Sequence, residues 1–407
     1  MNRTSPGPAL AQAPHFPVLD TVRAIGALAV LTTHTAFQSG DYVRHGVWGT
    51  LLSRLDVGVA IFLVLSGFLL SRPYLARAVA GLPHPSTGRY YWKRLLRIYP
   101  VYAVTVILAL GLLPENDRVG PGGWLRTLLL ADPYAADRLP HGLTQMWSLS
   151  VEVAFYVVLP GLMLAAVGRG RALRPGRVGA LIALMVGFSC WWHLSLAKSV
   201  DALTSGVPMM WLPAYLSWFA VGIGIALAHV LHQTRPVPGR TLRLLTTLGT
   251  MPGVCWTLVG GLMLAAATPL AGPSLLFVAT SGQSLTKHLL YAVVGGLVVV
   301  TGAFAAPDGR YARVMSAPLL RHLGHISFST FCIHLPLLQL VTAVTGYDLF
   351  DGHGLQIWAL TLALSLAASE VLYRLVEKPG MRLKDLHRPG AGSGGQPRSE
   401  AQAASTR

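Results

Sequence analysis

Residues 17–37 read PVLDTVRAIGALAVLTTHTAF. From Val18 to Phe37 the stretch has the length and apolar content of a membrane-spanning helix, yet it carries Arg23 and His34. Eleven residues separate the two, and at 100° per residue this places both side chains on one helix face, about 16 Å apart. Gly26, Ala27 and Val30 lie between them on or near that face. A slot walled by small residues, with a cation at one end and an imidazole at the other, suits a long, thin ligand with an anionic head. Ionisable groups inside a bilayer are functional hypotheses by default. The structural alternatives are a snorkelling anchor for Arg23 and a helix-packing contact for His34.

Working outward, the rest of the chain has the same character. Of 407 residues, 53% are hydrophobic and 12% charged, with a mean hydropathy of +0.52, which excludes an ordinary soluble domain. Apolar windows of spanning length fall near 19–38, 57–75, 97–113, 145–167, 177–197, 209–231, 249–270, 284–306, 323–345 and 354–376. The expected fold is therefore all-α, a polytopic membrane protein of about ten helices. It divides into an N-terminal segment (1–17), a membrane domain (18–380) and a polar tail (381–407) with the composition of a disordered linker.

The net charge of +16 would suggest nucleic acid in a soluble protein, but the charge is concentrated in alternate connections. The second-to-third connection carries Arg72, Arg77, Arg89, Lys93 and Arg94. Later ones repeat this with Arg169, Arg171, Arg174 and Arg177, then Arg235, Arg240 and Arg243, then Arg310, Arg313 and Arg321. Intervening connections hold Glu115, Asp117, Asp132 and Asp137, or Asp348 and Asp351. By the positive-inside rule the basic connections and both termini are expected in the cytoplasm, and nucleic acid is not an expected partner. Cys190, Cys255 and Cys332 fall inside separate spans without metal-type spacing, and no metal site is expected. The first 17 residues lack the basic and small-residue features of a cleaved signal peptide.

Several further motifs carry chemistry. Ser66 and Gly67 lie mid-way along the second span, where small residues permit close helix approach. Arg94 and Arg97 in RYYWKRLLRIYP are one helical turn apart, a fork for phosphate or an interfacial anchor. Glu152, in QMWSLSVEVAFYVVLP, falls about seven residues into its span, at a depth similar to that of His34; a carboxylate there would hold an imidazole's tautomer. A protonated, structural Glu152 is the alternative. His334, in HISFSTFCIHLPLL with Ser327 and Ser329, reads as a hydrogen-bonded packing histidine. Glu370 sits in the last span, and Arg374, Glu377 and Lys378 read as its mostly solvated end, with Arg374 a possible addition to a phosphate cluster. No GxGxxG, Walker A, HExxH or CxxC motif occurs at a sensible position.

Taken in order, LDTVRAIGALAVLTTH, GVAIFLVLSGFLL, KRLLRIYPVY, WSLSVEVAFY, ISFSTFCIHLPLL and YRLVEKP resemble the acyltransferase-3 family of bacterial integral membrane O-acyltransferases, over roughly residues 17 to 380. The family's Arg-x10-His pattern falls on Arg23 and His34, its Arg-x-x-Arg pattern on Arg94 and Arg97, and its WSLSVE motif on Trp147 to Glu152. The chain departs from the family at Thr21, where glycine is usual, at Ala60, where an acidic or polar residue is usual, and at Val153, where a second glutamate is common. The resemblance implies a multi-pass enzyme of the bacterial inner membrane that moves an acyl group, acetyl by default, from cytoplasmic acyl-CoA to a hydroxyl of an envelope glycan or glycolipid. It implies no permanently bound cofactor. Arg23, Arg94 and Arg97 would hold the donor's phosphates, and His34, oriented by Glu152, would act as general base or carry the acyl group itself. No fused extracytoplasmic domain is expected, so the chain transfers directly to its acceptor or relies on a separate partner; direct transfer without an acyl-histidine is preferred, because a base close to a bound hydroxyl needs no extra intermediate. A lipid or glycan transporter without acyl transfer is the alternative, and the connection 114–144, with Trp124 and several acids, is the expected contributor to acceptor choice.

Overall fold

In the computed structural model, residues 15–168, 173–234, 239–274 and 278–383 are described. Arg169, Arg171 and Arg235 of the basic connections, and most of the predicted tail, lie outside them. Among the described residues there is no strand. The long helices are α1 (Pro17–Ser39), α2 (Val57–Val79), α3 (Thr87–Leu112), α4 (Met146–Val167), α5 (Pro175–Trp191), α6 (Leu212–Thr234), α7 (Arg240–Thr250), α8 (Pro252–Ala266), α9 (Ser281–Ala303), α10 (Pro318–Thr345) and α11 (Gly354–Leu372). Short helices Asp41–Arg44 and Gly46–Ser53 join α1 to α2, while α5 and α11 continue through single π-turns, Trp192–Leu196 and Tyr373–Glu377.

Among the described residues, eight helices are long and apolar enough to cross a membrane. The first predicted span, α1, has 23 residues but is not among the eight, because Asp20, Arg23 and His34 lower its hydropathy. The predicted continuous span 249–270 is instead broken: α7 and α8 meet at 93°. Met251, with φ −116° and ψ 64°, precedes Pro252, and the residue before a proline is disfavoured in the α region. By length and composition, a ninth segment among the described residues qualifies if this bent pair counts as one.

Helix α1 starts with Pro17 in its first turn and ends at Gly40, whose φ of 77° is left-handed. It packs against α2, α9, α10 and α11, and α2 is packed most extensively against α6. Glycines make these crossings close. A Cβ on Gly58 would run into the Gly26 carbonyl oxygen, and one on Gly222 into that of Val64. The small-residue face of α1 is thus consumed by helix packing at Gly26, not left as an open slot. The proximity drives packing here because apolar surface gains little from leaving lipid.

Candidate active site

Two cavities flank the middle of α1 and α2. One, of about 100 Å³, is lined by Arg23 of α1, Ser66 of α2, Arg94 and Arg97 of α3, and Glu152 and Tyr156 of α4. The sequence spacing therefore identifies three arginines that the fold does bring together. Each is held differently. Arg23 pairs with Asp20 one turn earlier at 3.1 Å, and Asp20 is also approached by Arg321 at 3.5 Å and His325 at 3.6 Å. Arg97 pairs with Glu377 at 3.0 Å. Arg94 lies 5.9 Å from the centre of the Tyr156 ring, and its Nε is buried without a hydrogen-bond partner among the described residues.

Glu377 departs from expectation. Rather than ending in solvent it is fully buried, accepting from Ser329 at 2.8 Å, because the π-turn after α11 turns it inward between α3 and α10. Arg374 does stay exposed, and its partner is Glu370 at 2.5 Å; Glu370 also binds His322 at 2.7 Å. Arg374 does not line the arginine cavity.

The expected contact between Glu152 and His34 is not made. Glu152 Oε1 accepts from Ser66 Oγ and, at 2.6 Å, from the Tyr156 hydroxyl, so the carboxylate belongs to the arginine cavity. Similar depth along two helices fixes a level and not an azimuth, and α4 presents Glu152 to the wrong side of α2. The partner of His34 is His334 of α10, with Nδ1 of the first 3.0 Å from Nε2 of the second. His334 is 1% exposed, and its own Nδ1 lies 2.8 Å from the Phe331 carbonyl.

The chain of contacts fixes the tautomers. A carbonyl only accepts, so His334 Nδ1 carries a proton. In the neutral ring its Nε2 is then a lone-pair acceptor, and His34 Nδ1 must donate to it. The remaining nitrogen, His34 Nε2, is left unprotonated.

His34 lines the second cavity, of about 760 Å³, together with Arg54, Asp56, Gln145, Trp147 and Lys287. Asp56 binds Lys287 at 2.6 Å and accepts from Tyr291; Tyr42 in the same wall donates to the Thr33 carbonyl at 2.6 Å, and burial pushes its hydroxyl well above the usual phenolic range, so it stays protonated. From the connection 114–144, Asp137, Arg138, Leu139 and Thr144 reach this wall, and Trp124 does not. Val59 and Phe331 line both cavities, and Phe331 meets Phe62 edge-on at 6.1 Å. A thin apolar partition thus separates the arginines from the histidine pair. Among the described residues no group of three or more His, Cys, Asp or Glu is placed to hold a metal.

Sequence reasoning missed the His34–His334 pair and Asp56. The signal for the pair was present, since each helix carries a histidine well inside its span, but the neighbour relation of α1 and α10 is set by tertiary packing. Comparison with known proteins agrees with the motif order. The acyltransferase-3 family profile, described as an acyltransferase domain, matches residues 16–374. The chain is 28% identical over 408 residues to acyltransferase MdmB of Streptomyces mycarofaciens, covering 92% of this chain and 94% of that protein. It is 24% identical over 396 residues to nodulation protein 10 of Rhizobium leguminosarum, covering 90% and 93%. With the peptidoglycan O-acetyltransferase OatA of Listeria monocytogenes it shares 22% identity over 387 residues, spanning 90% of this chain but 56% of the relative. No solved structure matches. The chain belongs to the acyltransferase-3 family and is a multi-pass membrane acyltransferase.

Proposed function

We propose that this enzyme transfers an acyl group, acetyl by default, from cytoplasmic acyl-CoA to a hydroxyl of an envelope glycan or glycolipid, as an O-acyltransferase of the bacterial inner membrane. The reading rests above all on His34 Nε2, a lone pair fixed by His334 and presented to a cavity of about 760 Å³. The arginine end faces the cytoplasm, as the basic connections favour. Arg23, Arg94 and Arg97, which line one cavity, bind the donor's phosphates. Glu152, held by Ser66 and Tyr156, balances this cationic cluster and orders the donor site instead of orienting His34. The pantetheine arm then crosses the partition at Val59 and Phe331, along the roughly 16 Å that separate Arg23 from His34.

At the partition the acceptor hydroxyl attacks the thioester carbonyl while His34 Nε2 takes its proton. The tetrahedral intermediate collapses, the C–S bond breaks, and the thiolate recovers that proton from His34 to leave as CoA thiol. Ester and free thiol are the only products, and the imidazole returns to its starting tautomer. Positioned base catalysis contributes about 100- to 10,000-fold. The test incubates membranes with radiolabelled acetyl-CoA and follows label into extractable lipid and glycan. His34→Ala is expected to lose nearly all transfer while remaining folded and inserted. A correctly inserted His34→Ala enzyme with normal transfer would sink the mechanism, and movement of substrate without acetyl-CoA consumption would point to transport.

A further inference from the structure

Besides the cavity of about 760 Å³, His34 lines a smaller one of about 210 Å³, enclosed by α1, α10 and the connection that precedes α4. Phe37, Leu139 and Thr144 are shared by the two, while Leu335 and Leu338 of α10, with Gln38 and Gln339, line the smaller. Backbone contacts hold its walls in place. Asn116, 2% exposed, clamps the connection at His141, donating to the carbonyl at 3.1 Å and accepting from the N–H at 3.0 Å. Gly142, at a left-handed φ of 72°, lies so close to α10 that a Cβ there would stand 3.3 Å from Pro336 Cα. Three residues on, Gln145 Nε2 donates at 2.9 Å to the Cys332 carbonyl, which Pro336 leaves without its helical donor. The cavity is thus formed before any ligand enters it.

A thioester under attack has three branches to place: the sulfur with its pantetheine arm, the acceptor's oxygen, and the acyl chain. In the acyl-transfer reading, on which this inference rests, the arm arrives through the partition at Val59 and Phe331, and the acceptor occupies the larger cavity, whose Arg54, Asp56 and Lys287 suit a polar molecule. We propose that the acyl chain lodges in the smaller cavity, against Leu335 and Leu338, and that this cavity selects the chain length of the donor. An apolar cavity of about 150 Å³ holds benzene, so about 210 Å³ admits a chain on the order of six carbons and not a fatty acyl chain. Gln38 sets a second limit, standing one turn beyond His34, ~6 Å further along α1. At ~1.2 Å of reach per bond this is about five bonds past the carbonyl before methylenes meet a glutamine. Transfer breaks the C–S bond and forms the C–O bond while the chain stays where it is, so no further reactant is needed.

The test reads a ratio within each protein, so that a general loss of activity cancels. Membranes are incubated with acetyl-, butyryl-, hexanoyl- or decanoyl-CoA labelled in the acyl group, label is followed into extractable lipid and glycan, and the detergent-solubilised proteins are compared by Tm. The wild type is expected to transfer butyryl and hexanoyl alongside acetyl, and decanoyl only at background. Gln339→Trp, which fills the cavity, should lower the butyryl-to-acetyl ratio roughly 15-fold, two methylenes at about fourfold each. Leu338→Ala, which enlarges it, should raise the decanoyl-to-acetyl ratio. Met210→Phe, in the larger cavity, should leave both ratios as they are in the wild type. If one of the two α10 variants fails to fold, the other decides. A wild type restricted to acetyl, or one that takes decanoyl as readily, overturns the proposal, and so do ratios that follow Met210 instead of Gln339 and Leu338. A wild type that transfers no acyl group refutes the acyl-transfer reading and this inference with it, whereas transfer with the wrong chain-length profile leaves that reading standing.

Discussion

Replacing His334 tests the tautomer relay directly. In the wild type its Nε2 accepts from His34 Nδ1 at 3.0 Å, and its Nδ1 is anchored on the Phe331 carbonyl at 2.8 Å. His334→Ala deletes both contacts and leaves the His34 Nδ1 proton without that partner. The Val30 carbonyl remains as an acceptor for the ring, so the cost is at most the 1–3 kcal/mol or so of an unsatisfied buried donor, and the ring can lower it by moving its proton to Nε2, which removes the base. The populated fraction of the productive tautomer should fall by the same free energy, so transfer should drop by up to about 150-fold. The effect should be smaller than that of His34→Ala, because a minority of rings still present the lone pair. His334→Gln separates geometry from mere occupancy, since its amide oxygen can accept from His34 Nδ1 and hold the tautomer. Transfer of label from acetyl-CoA in membranes, with Tm as a folding control, is the assay, and His334→Gln should recover most of the loss. Full activity in His334→Ala, or equal losses in the Ala and Gln variants, would refute the relay.

Other expectations follow from the two cavities and their walls. Val59 is shared by both and 8% exposed; Val59→Trp should block passage, abolishing transfer while CoA still raises the Tm. Arg97→Ala would leave the fully buried Glu377 carboxylate unpaired, a loss of about 3–5 kcal/mol. Pairing it with Glu377→Leu should restore the Tm without restoring donor affinity, and a double variant with normal affinity would remove Arg97 from the phosphate site. The proposed orientation predicts that, in a background lacking the native cysteines, Asp137→Cys reacts with an impermeant maleimide in intact cells and Arg89→Cys does so only after permeabilisation; the reverse pattern would invert the topology.

The sequence alone carried the class of the molecule. Spans of apolar residues sufficient to cross hydrocarbon, and charge sorted into alternate connections, are one-dimensional properties, and helices in lipid satisfy their own backbone. Helical periodicity likewise put Arg94 beside Arg97 and aligned Arg23 with His34. Legibility ended where two helices had to be placed around a third. Glu152 had a suitable depth yet faces Ser66 and Tyr156, Glu377 was read as solvated yet is buried, and the span at 249–270 is broken at Met251.

What only tertiary structure decided is which neighbours complete each polar group. Hydropathy sets a helix's level in the bilayer, but its rotation and partners come from packing, here from glycine crossings such as Gly26 on Gly58. That packing sets α10 against α1, and with it places His334 on His34. The motif pattern singled out the histidine; the fold determined which of its nitrogens keeps a free lone pair, because the Phe331 carbonyl can only accept.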